Sequence, residues 1–554
     1  MVAVEDLSSA EQQVWDAFPA GKLVDLGTSN DADNDPEHGS GWSEARQVRA
    51  EVLLALLGGQ VDAPLGVGQI CLQKARITGP IVFRSGELRY PLWLQQCYIG
   101  DGIFLEDAII PTLVLDYSNI GLVSLVRTEV KGIIRFTGAR LEGRDGTAMF
   151  ADGLVARALG CDSGFRAEGT VCLNSASIGD LSFVGAHLDG KGGSALQADG
   201  ITVTGTMFCH EIPAESMSGR EQKSESGQEG RFRTCGEIWL RGAKLGELNL
   251  RGAQLDGNGS RYAVRADQII VTRATYFDEG FCAKGEISIA GASLNQLSLK
   301  GARLTAYKQL RAHSDFPAAL NAQDLAVNFE MICDTYRNND DGVQQAFSAE
   351  GAVILSGAKV GRLVDDKASW PAHIDLFGLT YGDLANKAIP VKDRLEWLRN
   401  THHPYESQPY LQLASFYREL GRDDSARRVL LEGQRLRRRQ RPWRWRLWGW
   451  VQDGLAGYGY APGRAVVLLA VAFLAGWLVF RNHPPAPVDL TTHPAFNAPV
   501  YTLDVLIPTQ VFGQVGNWNP HGIAFWAALA LRLFGWILAI TVAAAIGRAF
   551  TRSQ

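Results

Sequence analysis

Gly185, four intervening residues, Gly190 and Lys191 follow the opening of a phosphate-binding loop. In such a loop glycine amides cradle phosphate oxygens and the lysine reaches the terminal phosphates. The next position is Gly192 instead of Ser or Thr, and no strand–loop–helix pattern surrounds it, so it reads as a chance match. Gly454, Gly457 and Gly459 have the wrong spacing for a dinucleotide fingerprint. His402–His403 and His210–Glu211 lack zinc-site spacing. The acidic turn Asn338–Asp341 lacks the rest of a calcium loop and reads as a solvated insertion. The eight cysteines form no C-x-x-C pair, and Cys71 and Cys172 read as inert outward thiols. The residues thus assign no catalytic group, metal ligand or cofactor. A net charge of −5 gives no global field for nucleic acid, and 46% hydrophobic residues exclude wholesale disorder.

The elements around these residues are repeats. Decapeptides GEIWLRGAKL and GELNLRGAQL begin at Gly236 and Gly246, and the same frame fits lines beginning at Gly68, Gly79, Tyr90, Asp101, Pro111, Gly121, Gly132, Gly169, Gly179, Gly285, Asn295 and Gly351. Positions 3 and 5 are aliphatic or Phe, position 8 is small and position 10 is aliphatic. Spacings of two within each pair are those of short strands with one buried face. Strands this short fit a solenoid, each pairing with the coils above and below. Two decapeptides per coil predict roughly eight or nine coils, a rod of about 40 Å. A longer unit is superposed: Ala-led segments at Ala148, Ala195, Ala263 and Ala319, and Phe–small–Gly sets at Phe165, Phe232, Phe281 and Phe347. The longest insertion, Ile212–Gly230, is rich in Ser, Glu, Gln and Gly and reads as disordered.

The Ala-x-Leu cadence resembles pentapeptide-repeat proteins, which implies a right-handed quadrilateral β-helix. Here only alternate pentads carry a small residue at the inner first site. Together with the C-terminal region, the A-[LV]-x-A-D-G segments look like an actinobacterial membrane-associated group often labelled membrane-associated oxidoreductase. That resemblance covers roughly residues 40–554. It implies a bacterial membrane protein and, through its label, a redox activity tied to no motif in the sequence.

The flanks complete an expected order of segments. Residues 1–41 read as an acidic N-terminal segment and linker, and 42–59 as a capping helix (Glu44–Leu57, with Ser43 as N-cap). Residues 60–385 read as solenoid, and 386–440 as helical caps built from Val391–Asn400, Pro409–Gly421 and Asp423–Arg437. Residues 441–554 read as a basic, Trp-rich interfacial segment and two transmembrane helices. Arg437, Arg438, Arg439, Arg441, Arg444 and Arg446 interleave with Trp443, Trp445, Trp448 and Trp450 just before the apolar run Ala465–Phe480. Arg beside Trp at the mouth of a span favours anionic headgroups over nucleic acid. A second run, Ile523–Ile546, holds one charge, Arg532, which would pair with Asp504 in the short apolar segment Val500–Phe512 or snorkel toward the outer headgroups. That segment would lie on the outer interface or dip in as a re-entrant element. Between the spans the only Lys or Arg is Arg481, so the positive-inside rule places both termini and the solenoid in the cytoplasm. No basic n-region or apolar h-region marks a cleavable signal.

The expected fold is therefore mainly β: a right-handed β-solenoid with helical caps and a C-terminal transmembrane hairpin. The leading function is a membrane-anchored scaffold that binds a cytosolic protein and has no catalytic activity. A channel- or transporter-like oligomer joined through the hairpin, and the oxidoreductase of the family label, stand as alternatives.

Overall fold

The computed structural model describes residues 4–64, 66–212, 230–307, 316–337, 344–400, 405–439, 462–488, 495–507, 509 and 512–550. They form two compact units, Met1–His402 and His403–Gln554.

In the first unit the strands run parallel throughout two long sheets, and the registers give the coil directly. Leu92 pairs with Leu113 and Leu113 with Ile134, each step being one turn of 21 residues. Within a turn the chain makes four short sides: Leu92–Gln95, Tyr98–Ile99, Ile103–Phe104 and Ala108–Ile110. Left-handed residues such as Gln96 and Asp107 bend the chain after the first and third sides. In the decapeptide frame the bend falls between positions 5 and 8, which explains why that gap is three and the others two. Inward residues at 3 and 5 line one side, and 8 and 10 the next. Buried Ile238, Leu240, Ala243 and Leu245 show the pattern.

The first side alone stacks fourteen strands, about 60 Å at one strand per 4.8 Å, against the eight or nine coils expected. The decapeptide count missed coils whose corners carry insertions.

The longer unit has a packing cause. Successive registers stack Ala139, Phe165, Ala186, Phe232, Ala253, Phe281, Ala302 and Phe347 in one inner column. Each phenyl ring is thus housed against small neighbours above and below. Close packing tolerates little change in volume, so a two-coil period of large and small residues fills the axis. The same period governs the corner between second and third sides. Coils with a phenylalanine here turn on one tight glycine: Gly169, Gly236, Gly285 or Gly351. At Gly236, φ is +125° and an added Cβ would lie 2.4 Å from the Gly193 carbonyl oxygen. Coils with alanine extrude a loop instead, at 142–147, 189–194 and 256–261 and again after Thr305.

The A-D-G segments stitch coils together. Asp152 Oδ1 accepts from the Asn174 amide (2.9 Å), Asn174 Oδ1 from the Asp199 amide (3.1 Å), and Asp199 Oδ1 from the Arg241 amide (2.8 Å). Corner amides that would otherwise lack partners are satisfied by the coil next door.

Residues 4–41, expected to include a linker, are folded instead. Leu23–Asp25 adds a strand to the first side, pairing Leu23 with Cys71, and Gln47–Arg49 adds one to the second, pairing Gln47 with Arg76. The helix expected from Glu44 begins at Ala50: α2, Ala50–Leu57, follows a 3-10 turn at Glu44–Arg46 and buries Val52, Leu53, Leu56 and Leu57. Ser43 makes no side-chain cap. The preceding helix α1, Ser9–Ala17, starts on a capping box between Ser8 and Glu11, whose carboxylate also takes Arg49 Nε (2.8 Å) and Nη2 (2.9 Å). The acidic turns are folded because short-range bonds satisfy them: Asn34 donates to Thr28 O (2.8 Å), and Trp42 Nε1 to Asp33 O (3.0 Å).

At the other end, α3 (Val391–Arg399) docks through Arg394, which is 1% exposed. Arg394 Nη2 donates to Asp365 Oδ1 (2.8 Å) and Nη1 to Asp365 Oδ2, while Trp370 and Trp397 flank the guanidinium. A buried pair held this way positions more than it stabilises.

The second unit is helical: α4 (Gln408–Glu419), α5 (Asp423–Arg439), α6 (Pro462–Asn482), α7 (Ala498–Leu506) and α8 (Ile523–Phe550). The α4–α5 hairpin matches its expected bounds within two residues and buries Leu413, Ala414, Phe416, Tyr417, Ala426 and Val429.

Candidate functional site

The phosphate-loop match at Gly185–Lys191 runs from one solenoid corner to the next looped one. Lys191 turns back on the protein: its amide donates to Asp189 Oδ1 (2.9 Å) and its Nζ pairs with Glu168 (2.9 Å). Nothing there cradles a phosphate. His210 Nδ1 lies 2.6 Å from the Glu211 carbonyl oxygen. His402–His403 and Asn338–Asp341 lie outside the described residues, as does most of the Ile212–Gly230 insertion.

All eight cysteines are free. Burial pushes the Cys97 thiol up to about 12 and Cys172 to about 11, and raises Cys71, Cys161, Cys209 and Cys333. These thiols stay protonated and unreactive at neutral pH. Cys172, expected to face outward, is covered. Among the described residues no three His, Cys, Asp or Glu side chains form a metal-binding group.

One pair of carboxylates was not legible in the sequence. Cys333 stands opposite Asp365 in adjacent coils, so Asp334 and Asp366 follow one rung apart. Burial, then the neighbouring Asp366, raises the Asp334 carboxyl. Burial works the same way on Asp366 but is outweighed by the Ser369 and Thr335 groups around it, which hold that carboxyl low. The signal was register, invisible without the pairing. An open groove of about 440 Å³ crosses the last coils beside Asn328, Lys359, Gly361 and Tyr381, with Lys359 as its one charged wall.

In the helical unit, α7 wedges against both long helices. An added Cβ on Gly476 of α6 would lie 2.7 Å from both Thr502 Cγ2 and Leu531 Cδ1, and one on Gly535 of α8 would lie 2.0 Å from the Leu506 carbonyl oxygen. Small residues that admit close backbone approach are how apolar helices pack. Phe480, Tyr501, Val505, Ala524 and Ala528 form the centre of this contact.

The opposite faces are apolar and uncovered. On α6 these are Val467, Val471, Leu474 and Leu478. On α8 they are Phe525, Trp526 (68% exposed), Leu529, Leu533 (59%), Trp536 and Ile540.

The expected Asp504–Arg532 pair is not made. Asp504 is buried, and its oxygens accept the amides of Phe512 (2.9 Å) and Val515 (3.0 Å), which close the turn after α7. Arg532 is exposed among the apolar side chains of α8. Backbone amides outcompete it because they sit within eleven residues on the same turn. Of the expected interfacial residues, Arg437 is exposed near the end of α5 and Arg438 and Arg439 continue that helix. Arg441, Trp443, Arg444, Trp445, Arg446, Trp448 and Trp450 lie outside the described residues.

Among the described residues no helix is long and apolar enough to cross a membrane.

The class that emerges is a parallel β-solenoid-like domain followed by a helical unit with an outward apolar surface. Compared with family models, with curated proteins and with solved structures, the chain matches none.

Proposed function

We propose that the protein is a membrane-anchored scaffold: a right-handed, pentapeptide-like solenoid on the cytosolic face, held by a hairpin of α6 and α8. The single observation that carries the anchor is the uncovered apolar surface of these two helices. In water such a surface is a liability, whereas acyl chains match it. Helix lengths support the reading: 21 residues in α6 and 28 in α8, about 30 and 40 Å at 1.5 Å per residue. So does their sequence, with Arg532 the one charge between Ile523 and Ile546. In this reading α7 is a re-entrant element, since its contacts at Gly476 and Gly535 lie well inside both helices, and Asp504 closes its turn. Arg532 snorkels toward headgroups. The extruded loops at 142–147, 189–194 and 256–261 recur every second coil along one edge, about 10 Å apart, and offer a regular surface to a protein partner.

The test is topological. The full chain is expected in the membrane pellet after an alkaline carbonate wash. In intact spheroplasts a membrane-impermeant maleimide is expected to label Asn519→Cys at once and Ser177→Cys only after lysis. Release by carbonate, or the opposite labelling order, would overturn the anchor. Recovery of no specific protein from solubilised membranes, together with substrate turnover by the purified chain, would overturn the scaffold.

A further inference from the structure

On the third side of the solenoid, three guanidiniums alternate with two aromatic rings. Trp239 stands opposite Arg265 in the next coil, and Tyr262 lies on the same strand as Arg265, Tyr262–Arg265. The Arg265 Cζ is 5.4 Å from the centre of the Trp239 ring and 4.8 Å from that of Tyr262. Arg241 lies over Trp239 at 5.0 Å, and Arg261 over Tyr262 at 4.7 Å. The order is therefore Arg241, Trp239, Arg265, Tyr262, Arg261. Attraction between each cation and its ring orders these long side chains.

The outer cations are answered by acids. Arg241 Nε donates to Asp199 Oδ2 (2.9 Å), and Arg261 Nε to Glu286 Oε2 (2.9 Å). The central one is not. Among the described residues the Arg265 guanidinium makes no hydrogen bond or ion pair, and its Nε is buried without an acceptor. Acids two residues away bond elsewhere: Glu237 Oε2 takes Trp239 Nε1 (2.6 Å), and Asp267 Oδ1 takes Ser288 Oγ. A buried charged donor left unmatched costs free energy that an incoming acceptor recovers.

Position adds to this. Tyr262 follows directly on the extruded loop 256–261, so the ladder borders the looped edge assigned above to a protein partner. Arg, Trp and Tyr are the side chains that dominate binding at such surfaces. We infer that Arg265 anchors the partner by taking one of its Asp or Glu side chains. A guanidinium stacked on rings presents its fork in a fixed plane, and a carboxylate fills that fork with two parallel bonds. The three arginines stand among four acids, Asp199, Glu237, Asp267 and Glu286, so no positive field favours a polyanion such as nucleic acid. The inference rests on the scaffold reading but not on the membrane anchor.

The experiment pans a random-peptide phage library on the immobilised, detergent-solubilised full chain. Selected peptides are expected to share one Asp or Glu. A synthetic peptide of the selected sequence should bind at least about tenfold more weakly to Arg265→Ala, and also to Arg265→Lys, which keeps the charge and loses the fork. Binding to Arg166→Ala, an exposed arginine on the second side, should be unchanged, with circular dichroism confirming that each variant is folded. Replacing the peptide's own acid by its amide should cost wild-type binding at least as much, a measurement that needs no protein variant. Selection of no peptide, a selection without a shared acid, equal binding by folded Arg265→Ala, or tighter binding of a single-stranded oligonucleotide would overturn the anchor role. The scaffold itself survives such a result if solubilised membranes yield a specific protein whose binding is indifferent to Arg265→Ala, so the two failures are told apart.

Discussion

The solenoid and the long helices α6 and α8 dispose of large apolar side chains differently. In the solenoid, Phe136, Phe183, Phe277 and Leu304 point to the axis, while outward positions carry ion pairs such as Arg127–Asp107 and Lys131–Glu87. In the helical unit the small residues Gly476, Gly535, Ala524 and Ala528 face inward, and Val467, Leu474, Leu533 and Trp536 face outward. The centre still holds Phe480 and Tyr501, but the close approaches at Gly476 and Gly535 leave many large apolar side chains outside, an arrangement that would suit lipid, where packing and not water exclusion joins helices. Large apolar side chains are thus almost all inward in one region and largely outward in the other.

The sharpest way to break this contrast is a paired substitution. Phe277→Ala should destabilise the solenoid by about 3–5 kcal/mol, read by urea unfolding. Leu533→Ala should leave the detergent-solubilised fold within about 0.5 kcal/mol of wild type. If both cost the same, the outward face of α8 is not the free surface that the proposed anchor requires.

Next in size is Gly535→Leu. Its side chain would collide with the backbone of Leu506, and overpacking of this kind costs about 1–3 kcal/mol. Hydrogen exchange in α7 should rise while the solenoid amides stay protected. A uniform rise would mean that the two units unfold together.

The smallest effect concerns the N-terminal closure. Burial alone would raise the Glu11 carboxyl, but Arg49 and the amides of Ser8 and Arg49 bring it from 4.5 to about 2. A depressed acid stabilises the fold above its unfolded pKa and loses that contribution as pH falls through the folded one. The closure should be intact at neutral pH and weaken by on the order of 1 kcal/mol as pH drops from about 4.5 to about 2, because solvent around the part-exposed Arg49 screens the pair. Exchange of α1 amides should report this, and Glu11→Gln should remove most of the pH dependence.

Legibility followed the range of the interactions. Positions 3, 5, 8 and 10 were readable because the pattern recurs within ten residues, as were the α4–α5 hairpin and the start of α3 near Val391. The coil number was underestimated because loops hide lines from a fixed frame. The N-terminal turns were misread because an acidic, Gly-rich stretch looks the same whether its polar groups meet water or, like Asn34, its own backbone. Arg532 was visible as an isolated charge, but sequence distance does not reveal which alternative holds, since only the fold shows that Phe512 and Val515 already satisfy Asp504.

By itself the sequence determined that short strands with one inward face must stack into coils, and that two apolar segments stand apart from them. Both follow from local periodicity and hydrophobicity, which need no partner to be read. Tertiary structure decided what sits beside what: phenylalanine over alanine along the axis, Asp334 beside Asp366, Leu506 against Gly535. Those adjacencies join residues 20 or more positions apart, and the lengths of intervening loops, which the local pattern does not constrain, set their register.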